Sequence, residues 1–314
     1  MKPGRDRSMH VVLGTGPLGR SVIKELRKRE EPYRVVNFSG RQTEPEDVVV
    51  RADLMDPDQA KAAITGASVV YQCTQPPYNQ WKGKFERLQD NIIKGAMVSG
   101  AILVAAENVY MYGDVDHEIH EGLPYAARTK KGRIRAKLAE QLLELHKLGK
   151  LQVVLGRGSD FFGPGVTDSS AGERLFKPLV MGKAASIMGD PDKKHTFTFI
   201  EDFGRALIML GQSEDTYGEA WHVPNADAVP MTKFIELAAQ LAGVEAKIKP
   251  MGKGTLRIGG LFIPTARESI EMFYQFEKEF VVSSKKFTDR FGQSSTPLEE
   301  SLKATVDWYR ARKT

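Results

Sequence analysis

The chain lacks long apolar runs. No stretch of 18 or more residues is apolar enough to span a bilayer, so no transmembrane helix is expected. A single cysteine, Cys73, excludes an internal disulfide and fits a reducing compartment. The opening residues, Met1-Lys2-Pro3-Gly4-Arg5-Asp6-Arg7, lack the apolar core of a secretory signal. These absences predict a cytoplasmic protein with no membrane partner.

An excess of one charge is also missing. With 45 Lys and Arg against 40 Asp and Glu, the net charge is +5, small for 314 residues. The densest basic run, Lys130-Lys131-Gly132-Arg133-Ile134-Arg135, reads as a solvated helix start. No nucleic-acid-binding motif accompanies it, so no nucleic-acid partner is expected. His117-Glu118-Ile119-His120 matches neither HExxH nor the spacing of a helix face, and no metal site is expected. There is no internal repeat and no low-complexity linker.

What is present is an alternation. Apolar strand candidates at 11–13, 33–38, 47–51, 68–73, 102–105 and 152–156 are separated by helical patterns at 17–29, 57–65, 84–99 and 132–147. Strands spaced by helices predict βαβ units and an α/β fold, a doubly wound parallel sheet with right-handed crossovers. After residue 165 the alternation becomes irregular and ends in a helical pattern at 297–312. The expected division is a dinucleotide-binding domain at 1–165 and 195–225, with a smaller, discontinuous substrate-binding region at 166–194 and 226–314. Ligands in such sheets sit beyond the carboxyl ends of strands. The loops at 75–78, 113–129 and 163–165 are therefore candidate pocket walls.

The first strand runs into Gly14-Thr15-Gly16-Pro17-Leu18-Gly19 and then a helix. Gly14 permits a tight exit from the strand. Gly16 lets a pyrophosphate approach the backbone, and Gly19 lets the helix pack close to the sheet. The helix start offers free N–H groups and a positive dipole end to an anion. This context, strand before and helix after, predicts a bound dinucleotide.

The residue that selects the dinucleotide lies about 20 positions on, at the end of the second strand. There the chain has Asn37, with Ser39 and Arg41 following, in place of an acid. A 2′-phosphate needs cationic and hydroxyl partners and no nearby carboxylate. The pattern favours NADP over NAD, with Arg20 as a further cation. The alternative leaves Arg20 and Arg41 on the surface and has Asn37 bond the ribose 2′-hydroxyl of NAD. After the third strand, Asp53, with Leu54 beside it, suits the adenine amino group. Asp53 or Asp56 could instead cap the next helix.

Several further pieces fall in order. They are Val109-Tyr110-Met111-Tyr112-Gly113, Arg157-Gly158-Ser159-Asp160-Phe161-Phe162-Gly163-Pro164-Gly165, Phe197-Thr198-Phe199-Ile200-Glu201-Asp202, Gly218-Glu219-Ala220-Trp221-His222-Val223 and Thr296-Pro297-Leu298-Glu299-Glu300. With the glycine turn and the 52–56 block, the chain resembles an extended short-chain dehydrogenase/reductase of the epimerase/dehydratase-like branch over nearly its whole length. The resemblance implies a Rossmann fold and NAD(P)-dependent oxidoreductase chemistry. It also implies a homodimer formed through the helices at 84–99 and 132–147.

The resemblance breaks at the chemistry. The family's proton carrier is a Tyr with a Lys four residues later, helped by a Ser or Thr after the fifth strand. Here Gly132 falls at the Tyr position, Ala136 at the Lys position and Asn108 at the hydroxyl position. Literal YxxxK spacings occur at Tyr78 with Lys82 and at Tyr274 with Lys278, neither on the required helix. Replacement candidates near the end of the fifth strand are Asn108, Tyr110, Tyr112, Tyr125 and Lys131, of which Asn108, Tyr110 and Lys131 are favoured. Tyr112 belongs to the family's Tyr-Gly element and is expected to be structural. Tyr78, Trp81, Asp160 and Phe162 are candidate substrate contacts, and Asp160 would disfavour an anionic group. His195 is expected to be structural.

Three functions fit. One is an oxidoreductase or epimerase-like enzyme on a small carbonyl or alcohol, with a non-standard proton path. The second is a catalytically silent NAD(P)-binding sensor of NmrA-like type. The third is a non-redox lyase or isomerase on the same fold.

Overall fold

The structure, a computed structural model, describes residues 8–262 and 264–312. Residues 1–7, which carried the reading on a secretory signal, lie outside them. The first half holds β1 (His10–Leu13), α1 (Pro17–Lys28), β2 (Tyr33–Asn37), β3 (Val49–Arg51), α2 (Pro57–Ile64), β4 (Val69–Gln72), α3 (Trp81–Ser99), β5 (Ile102–Glu107), α4 (Lys130–Lys147) and β6 (Val153–Arg157). Then come β7 (Asp160–Phe162), α5 (Glu173–Val180), β8 (Ala185–Met188), β9 (Lys194–His195), β10 (Phe197–Phe199), α6 (Ile200–Gly211) and β11 (Ala220–His222). The chain continues through β12 (Val229–Pro230), α7 (Met231–Ala242), β13 (Ile248–Met251), α8 (Lys253–Gly259), α9 (Pro264–Ser269), α10 (Lys285–Phe291) and α11 (Leu298–Ala311).

Contacts divide the chain into two units. The first comprises residues up to Glu107, Ile134–Arg157 and Phe203–Trp221; the second comprises Asn108–Arg133, Gly158–Asp202 and the chain from His222 on. This division differs from the expected 1–165 with 195–225. Segments 108–133, 158–165, 195–202 and 222–225 fall in the second unit. Backbone pairing far apart in sequence draws two of them there, since Ile119 bridges Val282 and His195 bridges Phe280.

In the first unit a seven-stranded sheet runs β11-β6-β5-β4-β1-β2-β3. The five pairings among β1 to β6 are all parallel. The order 3-2-1-4-5-6 is that of the doubly wound dinucleotide fold, and it reverses between β1 and β4. Val11, Val12, Leu13, Val35, Val36, Val70, Val104, Val153 and Val154 are all excluded from water. Such near-continuous apolar strands form where helices cover both faces of a sheet. α1 buries Val22, Ile23 and Leu26.

The second unit has its own aromatic core. Phe162 lies between Phe199 and Phe234, with ring centroids 5.5 and 5.3 Å away. Phe176 stacks on Tyr309 at 5.4 Å. α5, α7 and α11 supply Leu175, Phe234, Ile235, Leu302 and Val306 to the same cluster. Among the described residues no helix is long and apolar enough to cross a membrane.

Candidate functional site

The glycine turn lies at the reversal of strand order, where β1 and β4 end side by side with Leu13 opposite Gln72. Its glycines do three different jobs. Gly14 has φ +102°, and a Cβ there would come within 3.0 Å of the Thr74 Cβ. A Cβ on Gly19 would overlap the carbonyl oxygen of Gly14. At Gly16 a Cβ would meet nothing within 4 Å. Gly14 and Gly19 are thus closed by the protein itself, whereas Gly16 faces open space. Gly16 also caps α1 without a side-chain bond, Pro17 follows it, and the first turn carries no acid. The helix start therefore presents N–H groups and a positive dipole end with no competing carboxylate. These residues fit a pyrophosphate. Thr15 and Leu18 complete the turn, and the Thr15 carbonyl accepts from Nε of Arg20 at 3.1 Å. Nearby, burial pushes the Cys73 thiol up to about 12, so it stays protonated and is no nucleophile.

The turn after β2 is built by Asn37. Its Oδ1 accepts from the N–H of Gly40 at 2.6 Å and from the Ser39 hydroxyl at 3.2 Å. Its Nδ2 donates to the Arg41 carbonyl at 2.9 Å. Both polar ends of Asn37 are thereby used within the loop, which leaves Ser39 and Arg41 exposed on it. Phe38, 70% exposed, stands beside them and offers a flat apolar surface with no motif in the sequence to mark it. Asp47 is no rival for an anion there: it is bonded to Arg27, Tyr33 and Thr43. After β3 the two aspartates divide their tasks. Asp56 caps α2, accepting from the N–H groups of Asp58 and Gln59 at 3.0 Å. Asp53 takes only the Met55 N–H through Oδ1, at 2.9 Å. Leu54 is buried, and its carbonyl accepts from Asn91 Nδ2.

Beyond β4, Trp81 is a packing residue, 2% exposed, with its indole N–H bonded to the Pro76 carbonyl. The Arg135 guanidinium lies 4.6 Å from the ring centroids of both Trp81 and Phe85 and donates to Gln75 Oε1 at 2.6 Å. Tyr78 is half-buried with its ring edge on Trp81. Non-helical backbone at Lys82 and Gly83 separates Tyr78 from Lys82, so these two do not share a helix face.

At the end of β5, Glu107 is buried against Arg157 of β6, Oε2 to Nε 2.9 Å. Asn108 follows, half-buried, and its Oδ1 accepts the Tyr110 N–H at 3.2 Å. Tyr110 opens the 3-10 turn Tyr110–Tyr112. Tyr112 is buried. Its hydroxyl meets Nε2 of His222 at 2.9 Å, and Nδ1 of His222 meets the Ser283 carbonyl at 2.8 Å. A carbonyl only accepts, so Nδ1 carries the hydrogen and the Tyr112 hydroxyl donates.

The basic run corrects an expectation. Lys131 and Arg135 are buried, not solvated. Nζ of Lys131 pairs with Glu268 at 2.8 Å, and Glu271 caps the start of α4 through the N–H groups of Lys130 and Lys131. Periodicity placed these cations on a helix start but carried no sign of the two glutamates some 140 residues away. Gly132, at the family's Tyr position, has no room for a side chain. A Cβ there would overlap the Ala127 side chain and lie 2.6 Å from the Tyr110 carbonyl oxygen.

In the second unit, Asp160 Oδ2 meets Nε2 of His195 at 2.9 Å. The imidazole stacks on Phe276 and Phe280. Asp160, a candidate substrate contact in the sequence, is thus engaged with His195. Phe162 is core, 1% exposed, packed against Phe199 and Phe234. Lys278 is bound to Asp114 and Asp116 and not to Tyr274. Burial, assisted by Asp114, Glu271 and Asp160, raises the Tyr274 hydroxyl well above its ordinary value. A tyrosine serving in the dyad needs the opposite shift.

A doubly wound sheet with a glycine turn at its switch point defines a dinucleotide-binding protein of the Rossmann class. The chain belongs to the NAD dependent epimerase/dehydratase family, whose profile matches residues 10–223. It is 26% identical over 240 residues to a sterol-4-alpha-carboxylate 3-dehydrogenase, decarboxylating, of Bos taurus, covering 72% of this chain and 67% of that protein. It is 23% identical over 297 residues to 3beta-hydroxysteroid-dehydrogenase/decarboxylase isoform 2 of Arabidopsis thaliana, covering 82% of this chain and 51% of that protein. The chain thus spans about two thirds of the first relative and about half of the second. Its fold matches the UDP-glucose 4-epimerase of Thermus thermophilus in complex with NAD, with TM-score 0.79, 16% identity, and 97% and 99% of the two chains covered. An NAD(P)-binding, oxidoreductase-like function goes with this family.

Proposed function

We propose that the chain is an NADP(H)-preferring oxidoreductase acting on a small alcohol or carbonyl compound without the family's Tyr/Lys pair. The observation that carries the reading is the glycine turn, closed at Gly14 and Gly19 and open at Gly16. Gly14, Thr15, Gly16, Pro17, Leu18 and Gly19 form the turn that holds the pyrophosphate; its donors are backbone N–H groups other than that of Gly14, which is bonded to the Val36 carbonyl, and Pro17 has none. Ser39 and Arg41, on the loop organised by Asn37, take the 2′-phosphate. Asp53 and Leu54 serve the adenine end. When bound, the nicotinamide supplies or accepts a hydride.

Asn108 follows the carboxyl end of β5 and holds the substrate oxygen, with Tyr110 beside it. Tyr78 is the remaining candidate substrate contact after β4. Lys131 is committed to Glu268, and Asp160 to His195. Neither is assigned the proton. The steroid and sterol activities named for the relatives make a hydroxyl or ketone on an apolar skeleton the first substrates to try.

Titration with NADPH and NADH tests the cofactor reading, followed by energy transfer from Trp81, Trp221 and Trp308. NADPH binds more tightly than NADH, and Arg41→Ala weakens NADPH about tenfold, about 1.4 kcal/mol, while leaving NADH unchanged. No binding of either nucleotide at micromolar concentration sinks the reading.

A second reading, a silent NAD(P)-binding regulator, has one observation in its favour: the closed position at Gly132. Tight NADPH binding with no oxidation across hydroxysteroids, ketosteroids and short-chain ketones would select it. Conversion of substrate with the cofactor left unchanged would select lyase or isomerase chemistry.

A further inference from the structure

We propose that the edge of the second unit formed by β13, α8 and residues 260–262 docks on an anionic lipid surface. The inference is independent of the cofactor reading. α8 buries Leu256 and turns Arg257 and Ile258 outward, with Ile258 66% exposed. The turn that follows leaves Leu261 79% and Phe262 83% exposed. No other large apolar side chain among the described residues stands so far into solvent as these last two. Exposed apolar residues scattered singly need no explanation, but three within five positions do.

The charges around them decide the partner. Between 246 and 267 the sequence has Lys247, Lys249, Lys253, Arg257 and Arg267 and no Asp or Glu. A Cβ on Gly260 would lie 3.0 Å from Arg267 Cα, so the turn brings Arg267 beside Leu261 and Phe262. Lys249, on β13, is exposed, and β13 packs against α8. The bordering carboxylates are already held. Glu245 pairs with Lys247 at 3.2 Å, Glu277 with Lys253 at 3.5 Å and Glu268 with Lys131 at 2.8 Å. Lys249, Arg257 and Arg267 form no ion pair among the described residues. Apolar residues ringed by unneutralised cations suit the boundary between anionic headgroups and acyl chains. The apolar side chains enter the boundary and the cations stay at the headgroups.

Co-sedimentation of the full chain with vesicles tests the proposal. The chain pellets with phosphatidylserine-containing vesicles about tenfold better than with pure phosphatidylcholine, and added salt releases it. Leu261→Ser with Phe262→Ser, and separately Lys249→Glu with Arg257→Glu, each reduce vesicle binding about tenfold or more. All four positions are exposed, so melting temperature and NADPH titration stay at wild-type values. Failure to bind anionic vesicles overturns the proposal. So does binding that neither pair of substitutions weakens. A dimer that Leu261→Ser with Phe262→Ser converts to monomer also overturns it, by showing a second copy as the occupant.

Discussion

The Nε of Arg157 donates to Oε2 of Glu107 across β5 and β6 at 2.9 Å, and Arg157 is wholly inaccessible to water. The register that places Glu107 opposite Arg157 therefore sets a charge pair inside the sheet's carboxyl end. Neutralising Glu107 takes this countercharge from a guanidinium wholly out of water, which costs about 3–5 kcal/mol. Glu107→Gln is expected to lose that much in urea-induced unfolding. Replacing both residues with apolar ones of similar volume recovers most of it. A loss below about 1 kcal/mol for Glu107→Gln would show that the pair does not act as a unit.

Gly16 and Gly19 separate binding from folding. Gly16→Ala puts a methyl into space that only a ligand would fill, so it lowers nucleotide affinity about tenfold, about 1.4 kcal/mol, with the melting temperature unchanged. Gly19→Ala forces a Cβ onto the Gly14 carbonyl and costs about 1–3 kcal/mol of stability. Paired thermal melts and NADPH titrations check both. Equal effects of the two substitutions on stability would refute the assignment.

His10 makes stability depend on pH. Burial holds its pKa below the ordinary 6.5, and Nδ1 meets the Tyr71 hydroxyl at 3.1 Å. As pH falls below 6.5 the unfolded chain takes up the proton first. This contribution to stability is therefore intact above 6.5, declines below it, and is fully lost beneath the folded-state pKa. The slope of unfolding free energy against pH in that acid range is expected to shrink in His10→Gln. An unchanged slope would move the effect to another group.

Lys131 and Glu268 are expected to couple. Lys131→Met and Glu268→Gln each cost about 1.5–3 kcal/mol, as loss of a charge-assisted hydrogen bond does, and the double variant costs less than their sum. Additive losses in denaturant unfolding would mean that Lys131 has some other role.

Local signals carried much of this structure. Short apolar runs, a GxGxxG turn and an Asp-Pro helix start depend on neighbours within a few residues. β1 to β6 and α1 to α4 accordingly lie where periodicity and turn chemistry placed them, while the choice of Asp56 over Asp53 as the cap of α2 came from the structure. The closed state of Gly132 was not legible, because it depends on Ala127, Thr129 and the Tyr110 carbonyl folding back against the helix start. Trp81 and Phe162 follow strands, where aromatic residues often line pockets, yet both are packed into the interior. Whether such a ring meets ligand or core is decided by which distant side chains cover it.

The sequence by itself determined the family, the sheet and the phosphate-binding turn. Each is written in spacing along the chain, where hydrophobic period and glycine placement act over one or two turns. Only the tertiary structure decided which charges are available. Lys131 is spent on Glu268, Asp160 on His195 and Lys278 on Asp114 and Asp116. Electrostatic pairing depends on distance in space, and residues some 35 to 160 positions apart become neighbours only when the chain has folded.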